Sequence, residues 1–216
     1  MIEPRLVGVA SCPNPPLLLR GITGRPVAEV EQLRTSCLAA IAELLDCAPD
    51  LIVLVGGQTA AELAEPEPDK PLSITVGRLL LAQANAALPV EHLVVAGGAP
   101  TEQCLALGRQ VIAETAGRVG LLVMADGSAR RSVKAPGYLD ERAAPFDAVI
   151  ERALVLADPA ALAGLDPALA AELLVAGRAS WQVLAGAAES QHFAAQLHYA
   201  DDPFGVWYPV ASWRAL

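Results

Sequence analysis

The stretch Leu121-Leu-Val-Met-Ala-Asp-Gly-Ser-Ala-Arg-Arg-Ser-Val-Lys-Ala-Pro-Gly-Tyr-Leu-Asp140, running on to Pro145-Phe146-Asp147, decides how this chain is read. Val119 to Met124 is an apolar run of bounded length and predicts a fully buried strand. Asp126-Gly127 breaks it. A loop carrying Arg130, Arg131 and Lys134 follows, and a helix is expected to restart near Pro145. In an open α/β sheet, ligands sit where the carboxyl end of a strand meets such a loop. Asp126, Ser128 and Arg130 are therefore the first candidate site residues.

Working outward, Leu6–Ala10 reads as a first strand that empties into the stiff loop Ser11-Cys12-Pro13-Asn14-Pro15-Pro16. Val27, Val30, Leu33, Cys37, Leu38, Ile41, Leu44 and Leu45 recur at helical spacing and give one buried face. Leu51–Val55 is a second buried strand, ending at Gly56-Gly57-Gln58-Thr59. Thr59-Ala-Ala-Glu62 fits a capping box, and the proline-rich residues 64–71 predict an extended surface loop. Leu72–Val76 can add a strand, with a helix over Val76–Leu88. A strand at His92–Ala96 and a helix to about Ala116 follow. Past the central loop, Phe146–Ala157 is expected to be helical. Asp158-Pro159 and Asp166-Pro167 each look like an N-cap followed by proline at the first helical position. Phe193–Tyr199 and Val206–Trp213 are strand-like and joined across Asp201–Gly205, with Pro209 suiting an edge position. The prediction is one α/β domain over residues 1–216: a mixed central β-sheet flanked by helices, with a C-terminal antiparallel hairpin.

The order Ala125-Asp126-Gly127-Ser128-Ala129-Arg130, then Ala135-Pro136-Gly137-Tyr138, then Phe146-Asp147 before a helix resembles the class III extradiol ring-cleavage dioxygenase superfamily. That superfamily includes the catalytic subunit of protocatechuate 4,5-dioxygenase and the Memo proteins. The resemblance implies their α/β sandwich and a site holding Fe(II) on two histidines and a carboxylate, with a further histidine moving protons. The family motif Gly-Asp-x-Ser-His-Arg places that histidine at Ala129. Pro-His-Pro-Pro-Leu-Leu places the first metal ligand at Asn14, and the second falls nearest to Gln58. The third, Glu in dioxygenases and Cys in the Memo branch, belongs in Val175–Trp181, which holds neither. Amide oxygens are neutral and weaker donors to Fe(II) than imidazole. His192 and His198, six residues apart on a predicted strand, lie about 20 Å apart and cannot share one metal. The resemblance thus implies a descendant with no metal ligands and no catalytic residue, and no cofactor is expected. Cys12, Asn14, Gln58, Asp126, Ser128 and Arg130 remain as a candidate pocket for a small polar or anionic molecule, with Arg130 or Arg131 at its mouth. The plainer reading of Asp126 is a loop cap through its own backbone amides; that of Cys12 is an inert buried thiol.

Two alternatives stand beside this pseudoenzyme reading. One is a working enzyme, either an Fe(II) dioxygenase with replaced ligands or a non-redox activity using Asp126 or Cys12. The other is a structural subunit whose C-terminal hairpin pairs with a second copy or a protein partner through Trp207, Tyr208 and Trp213, residue types that anchor interfaces. A net charge of −9 over 216 residues argues against a nucleic-acid surface. The mean hydropathy of +0.41 is high, yet prolines cut every apolar run short of the roughly 20 residues a membrane span needs. With no basic segment followed by an apolar one at Met1-Ile-Glu-Pro-Arg5, the expected location is cytoplasmic. The cysteines at 12, 37, 47 and 104 form no Cys-x-x-Cys pair, and Cys37 and Cys47, ten apart on one helix, are about 15 Å apart in rise and too far for a disulfide.

Overall fold

The computed structural model describes residues 5–19, 24–59, 62 and 71–216. Six strands form one mixed sheet in the order β3-β2-β4-β1-β6-β5: β1 Arg5–Cys12, β2 Leu51–Gln58, β3 Val90–Ala96, β4 Arg118–Met124, β5 Phe193–Asp201 and β6 Tyr208–Ala215. The first four are mutually parallel. The last two form an antiparallel pair, and β6 also runs antiparallel to β1. The central strands are apolar on both sides, as parallel strands covered by helices must be: Val53, Val55, Leu121 and Val123 face one core, Ile52, Leu54, Leu122 and Met124 the other.

The second core lies under α1 (Ala28–Asp46) and α2 (Leu72–Gln83). The first is covered by α3 (Thr101–Glu114), α4 (Ala143–Leu156) and α7 (Arg178–Ala188), with the short α5 (Pro159–Ala163) and α6 (Pro167–Glu172) between. Asp158 and Asp166 cap α5 and α6 as their sequence predicts, Asp158 accepting the Ala161 N–H and Asp166 those of Ala168 and Leu169. Every residue of α7 is buried, and Trp181 within it donates to the Ser11 hydroxyl at 3.0 Å.

Three expectations are corrected. Leu72–Val76 is the first part of α2, not a strand, and that helix ends at Gln83. Pro71 sits at its N-cap, and Ser73, Ile74, Gly77, Leu80 and Leu81 are buried at helical spacing, so packing overrides the β-branched Ile74 and Val76. The hairpin is not an exposed ribbon: Trp207, Tyr208 and Trp213 are buried within this chain, because β6 is inserted between β1 and β5. Pro209 therefore lies on an internal strand, but at a position paired with Ala200 of β5 and beyond the residues that pair with β1. The 64–71 loop, apart from Pro71, lies outside the described residues. The reciprocal Thr59–Glu62 bonds of the capping box are present, while the turn between them is outside the described residues. No described helix is long and apolar enough to cross a membrane. All four cysteines are buried and unpaired.

Candidate functional site

The chain leaves β1 and β2 toward the α1–α2 face and leaves β3 and β4 toward the α3–α4 face, while β4 lies between β2 and β1. Both flanks of the carboxyl end of β4 are therefore switch points, where neighbouring strands send chain to opposite faces and open a crevice. Asn14 follows β1, Gln58 ends β2 and Asp126 follows β4, so these three candidates share one edge of the sheet on adjacent strands.

On the β1 flank, the Asn14 backbone N–H donates to Asp126 Oδ1 at 2.7 Å. The aspartate thus holds the neighbouring loop rather than capping its own. Burial pushes its carboxyl up to about 6, and the Asn14 N–H offsets only part of that. Tyr208, at the start of β6, feels the charge of the same carboxyl. Its phenol is held well above the usual range, first by burial and then by the nearby negative charge of Asp126. Cys12 does not open onto the crevice. It is fully buried with its thiol 3.9 Å from the Cys37 carbonyl in the core under α1, and burial raises the Cys37 thiol, with the Cys12 bond adding to it.

Ser128, Arg130 and Arg131 also point elsewhere. Ser128 is fully buried; its N–H donates to Asp147 Oδ1 at 3.0 Å and its hydroxyl to Asp147 Oδ2. Asp147 lies in α4, and burial pushes it up to about 6 against the opposing pull of Ser128 and Arg131. Arg131 bonds Asp202 at 2.7 Å and lies 3.7 Å from Asp147, while Arg130 donates to the Gly137 carbonyl of its own loop. The sequence expected an arginine at the mouth of a pocket. Instead Arg130 is used within the central loop and Arg131 ties that loop to α4 and to the turn after β5, and the loop is locked further by bonds between Gly127, Ser128 and Trp207.

On the β2 flank the structure adds residues that the motif comparison passed over. Gly177 donates to the Asp126 carbonyl at 2.8 Å. A Cβ there would lie 2.6 Å from Ala125 Cβ, so only glycine allows α7 to start against the end of β4. A Cβ on Gly57 would meet the Ala176 carbonyl at 3.3 Å and Ser180 Oγ at 3.6 Å, so the first turn of α7 also abuts the end of β2. Arg178 is buried, and its donors reach the carbonyls of Gly97 and Ala99, each at 2.6 Å, and the Gln182 amide oxygen at 2.9 Å. No carboxylate pairs with it among the described residues. Ser180 is fully buried and its hydroxyl has no hydrogen-bond partner among them. Gln58 is half-buried; its backbone carbonyl accepts Gly97 N–H, and its side-chain amide donates to the Glu62 carbonyl at 3.3 Å. One signal for this flank was in the sequence: Arg178 is the only charge between Leu173 and Ala188.

These residues do not suit Fe(II). Asn14 and Gln58 offer neutral amide groups, and the one carboxylate, Asp126, already accepts a backbone N–H. Among the described residues no three His, Cys, Asp or Glu side chains group to hold a metal ion. The histidines have other neighbours: His92 meets Arg78, and His198 meets Ser212 and Glu43.

No protein-family model matches the chain, and neither does any curated protein. The fold itself has a solved counterpart. An uncharacterized protein, JW3007 from Escherichia coli K12, superposes with a TM-score of 0.53 at 12% sequence identity, over 96% of this chain and 99% of that one. At that identity the likeness is one of fold alone.

Proposed function

We propose that this chain is an extradiol-dioxygenase-like binding protein that works without a metal, taking a small polar molecule in the crevice around the carboxyl end of β4. The observation that carries the reading is the 2.7 Å bond from Asn14 N–H to Asp126. It draws together the two loops that the family resemblance assigns to the first metal ligand and to the acid/base motif, but through a hydrogen bond from a backbone N–H, with no histidine on either loop. Amide, carboxyl and hydroxyl groups at a switch point are equipment for orienting a ligand. With Ala129 in place of the histidine, nothing at that position can move a proton, a contribution typically worth 10²–10⁴-fold.

The test is a thermal-shift screen of phenols, small carboxylates and polyols on the wild type and Asn14→Ala, together with elemental analysis of the purified protein. Stabilisation that Asn14→Ala removes, with no stoichiometric metal, is the expected result. One iron or zinc per chain, or ring opening of protocatechuate after anaerobic Fe(II) loading well above a metal-only blank, overturns it in favour of a working dioxygenase.

A further inference from the structure

The β2 flank carries an inference that rests on this reading and deepens it. Three independent features lie within the first turn of α7. The helix ladder opens with the Trp181 N–H to the Gly177 carbonyl at 3.0 Å, so the N–H groups of Ala179 and Ser180 precede it and have no acceptor within the helix. The Ser180 hydroxyl is fully buried beside Gly57 with no partner among the described residues, a state that ordinarily costs about 1–3 kcal/mol. The Arg178 guanidinium is buried against the Gly97 and Ala99 carbonyls, the Gln182 amide oxygen and, at 3.8 Å, the Cys104 sulfur, with no carboxylate on it among the described residues, although buried charges are normally paired.

Unfilled N–H groups, an unfilled hydroxyl and an uncompensated positive charge call for the same complement. The start of a helix adds to it, since the macrodipole places roughly half a positive charge there. No acidic side chain occupies the first turn. Asp126, which follows β4, offers the start of α7 only its backbone carbonyl, while its carboxylate accepts the Asn14 N–H.

We infer that the first turn of α7 is an oxyanion subsite of the crevice, in which Ala179 and Ser180 N–H and Ser180 Oγ receive a carboxylate or phosphate group and Arg178 supplies the opposite charge. The ligand of the crevice is then a small organic acid or phosphate ester whose polar remainder extends toward Asn14 and Asp126. An anion bound there replaces an unfilled buried hydroxyl by a charge-assisted bond.

The probes are inorganic phosphate and benzoate, titrated by calorimetry and thermal shift against sodium chloride at matched ionic strength. The proteins are the full-length wild type, Ser180→Ala and Asn14→Ala. Ser180→Ala removes a hydroxyl that bonds nothing, so without ligand it melts at or above the wild-type temperature. With either anion it loses about tenfold or more in affinity. An anion effect that needs Ser180 supports the inference. Anion effects equal in wild type and Ser180→Ala overturn it, as does a lower melting temperature of unligated Ser180→Ala, which assigns Ser180 a structural bond. A neutral phenol whose binding needs Asn14 but not Ser180 overturns the subsite and leaves the binding reading in place. Absence of any shift with any probe overturns both.

Discussion

The two flanks of β4 differ in sign. On the β1 side, Asp126 is a desolvated carboxyl that, among the described residues, has a single N–H donor and no cation against it. On the β2 side, Arg178 is a buried guanidinium with only neutral acceptors. A buried cation and a buried carboxyl near one strand end would ordinarily pair. Here the backbone at Asp126 keeps them apart, its carbonyl bonded to Gly177 at the N-cap of α7 and its carboxylate turned to the loop after β1. The edge thus presents an acceptor on one face and donors on the other, and a ligand that spans both would carry a hydroxyl or amine at one end and an oxyanion at the other.

The largest effect should come from Arg178→Met, which keeps the aliphatic stem and removes the donors. Gly97, Ala99 and Gln182 would lose their partners, and at about 1–3 kcal/mol for each buried group left unsatisfied the loss should reach about 4 kcal/mol. Urea unfolding measures it. A change below about 1 kcal/mol would mean that relief of the buried charge offsets the lost bonds, as replacement of buried ions by apolar side chains sometimes does. The two flanks would then not be opposites in energy, whatever their geometry.

Asp126→Asn addresses the other flank. The folded-state carboxyl sits near 6, above its ordinary value, so it is the proton that favours the fold. That contribution is complete below about pH 4, the unfolded value, and is lost as pH rises through about 6. Asparagine is neutral throughout and its amide oxygen can still accept the Asn14 N–H. The variant should match the wild type in acid and exceed it by up to about 3 kcal/mol above pH 7, with a flatter stability profile between. Asp147 is also raised to about 6 and adds a slope of its own, but to both proteins, so the difference isolates Asp126. A variant less stable than the wild type at pH 8 would show that the ionised carboxyl is what holds Asn14.

How far the sequence disclosed these flanks follows from the range of the forces involved. β2 and β4 were legible because buried parallel strands are apolar on both faces, and Asp158 and Asp166 because a cap acts within three residues. The β-branched Ile74, Thr75 and Val76 suggest a strand locally, whereas packing beneath α2 makes the segment helical. Asn14, Gln58 and Asp126 were assigned to one edge through the motif order, and the strand order β2-β4-β1 brings that about. Ser128 and Arg131 were misplaced because Asp147 and Asp202, their partners, lie 19 and 71 residues further along. Arg178 and Ser180 form a site only through packing against β2, β4 and the loop after β3, which no local pattern encodes.

The smallest effect provides a boundary for the comparison. Glu43 of α1, Ser212 of β6 and His198 of β5 form a polar cluster on the α1 side of the C-terminal strand pair. The Ser212 hydroxyl donates to the Glu43 carboxylate, so the bond between Ser212 and His198, 2.8 Å long, must be donated by His198 Nε2. Glu43→Gln retains an oxygen that can accept from Ser212 and removes the charge. Since Glu43 is partly exposed, water screens much of the lost attraction, and the cost should be about 1 kcal/mol or less. None of its partners is shared with Asp126, so Glu43→Gln and Asp126→Asn should add within about 0.5 kcal/mol. A larger coupling in the double variant would tie the β1 flank to the C-terminal strands through β6, where Tyr208 already feels the charge of Asp126. The negative flank would then extend from Asp126 along β6 to Glu43, and the division between the two sides of β4 would be one between the two faces of the sheet.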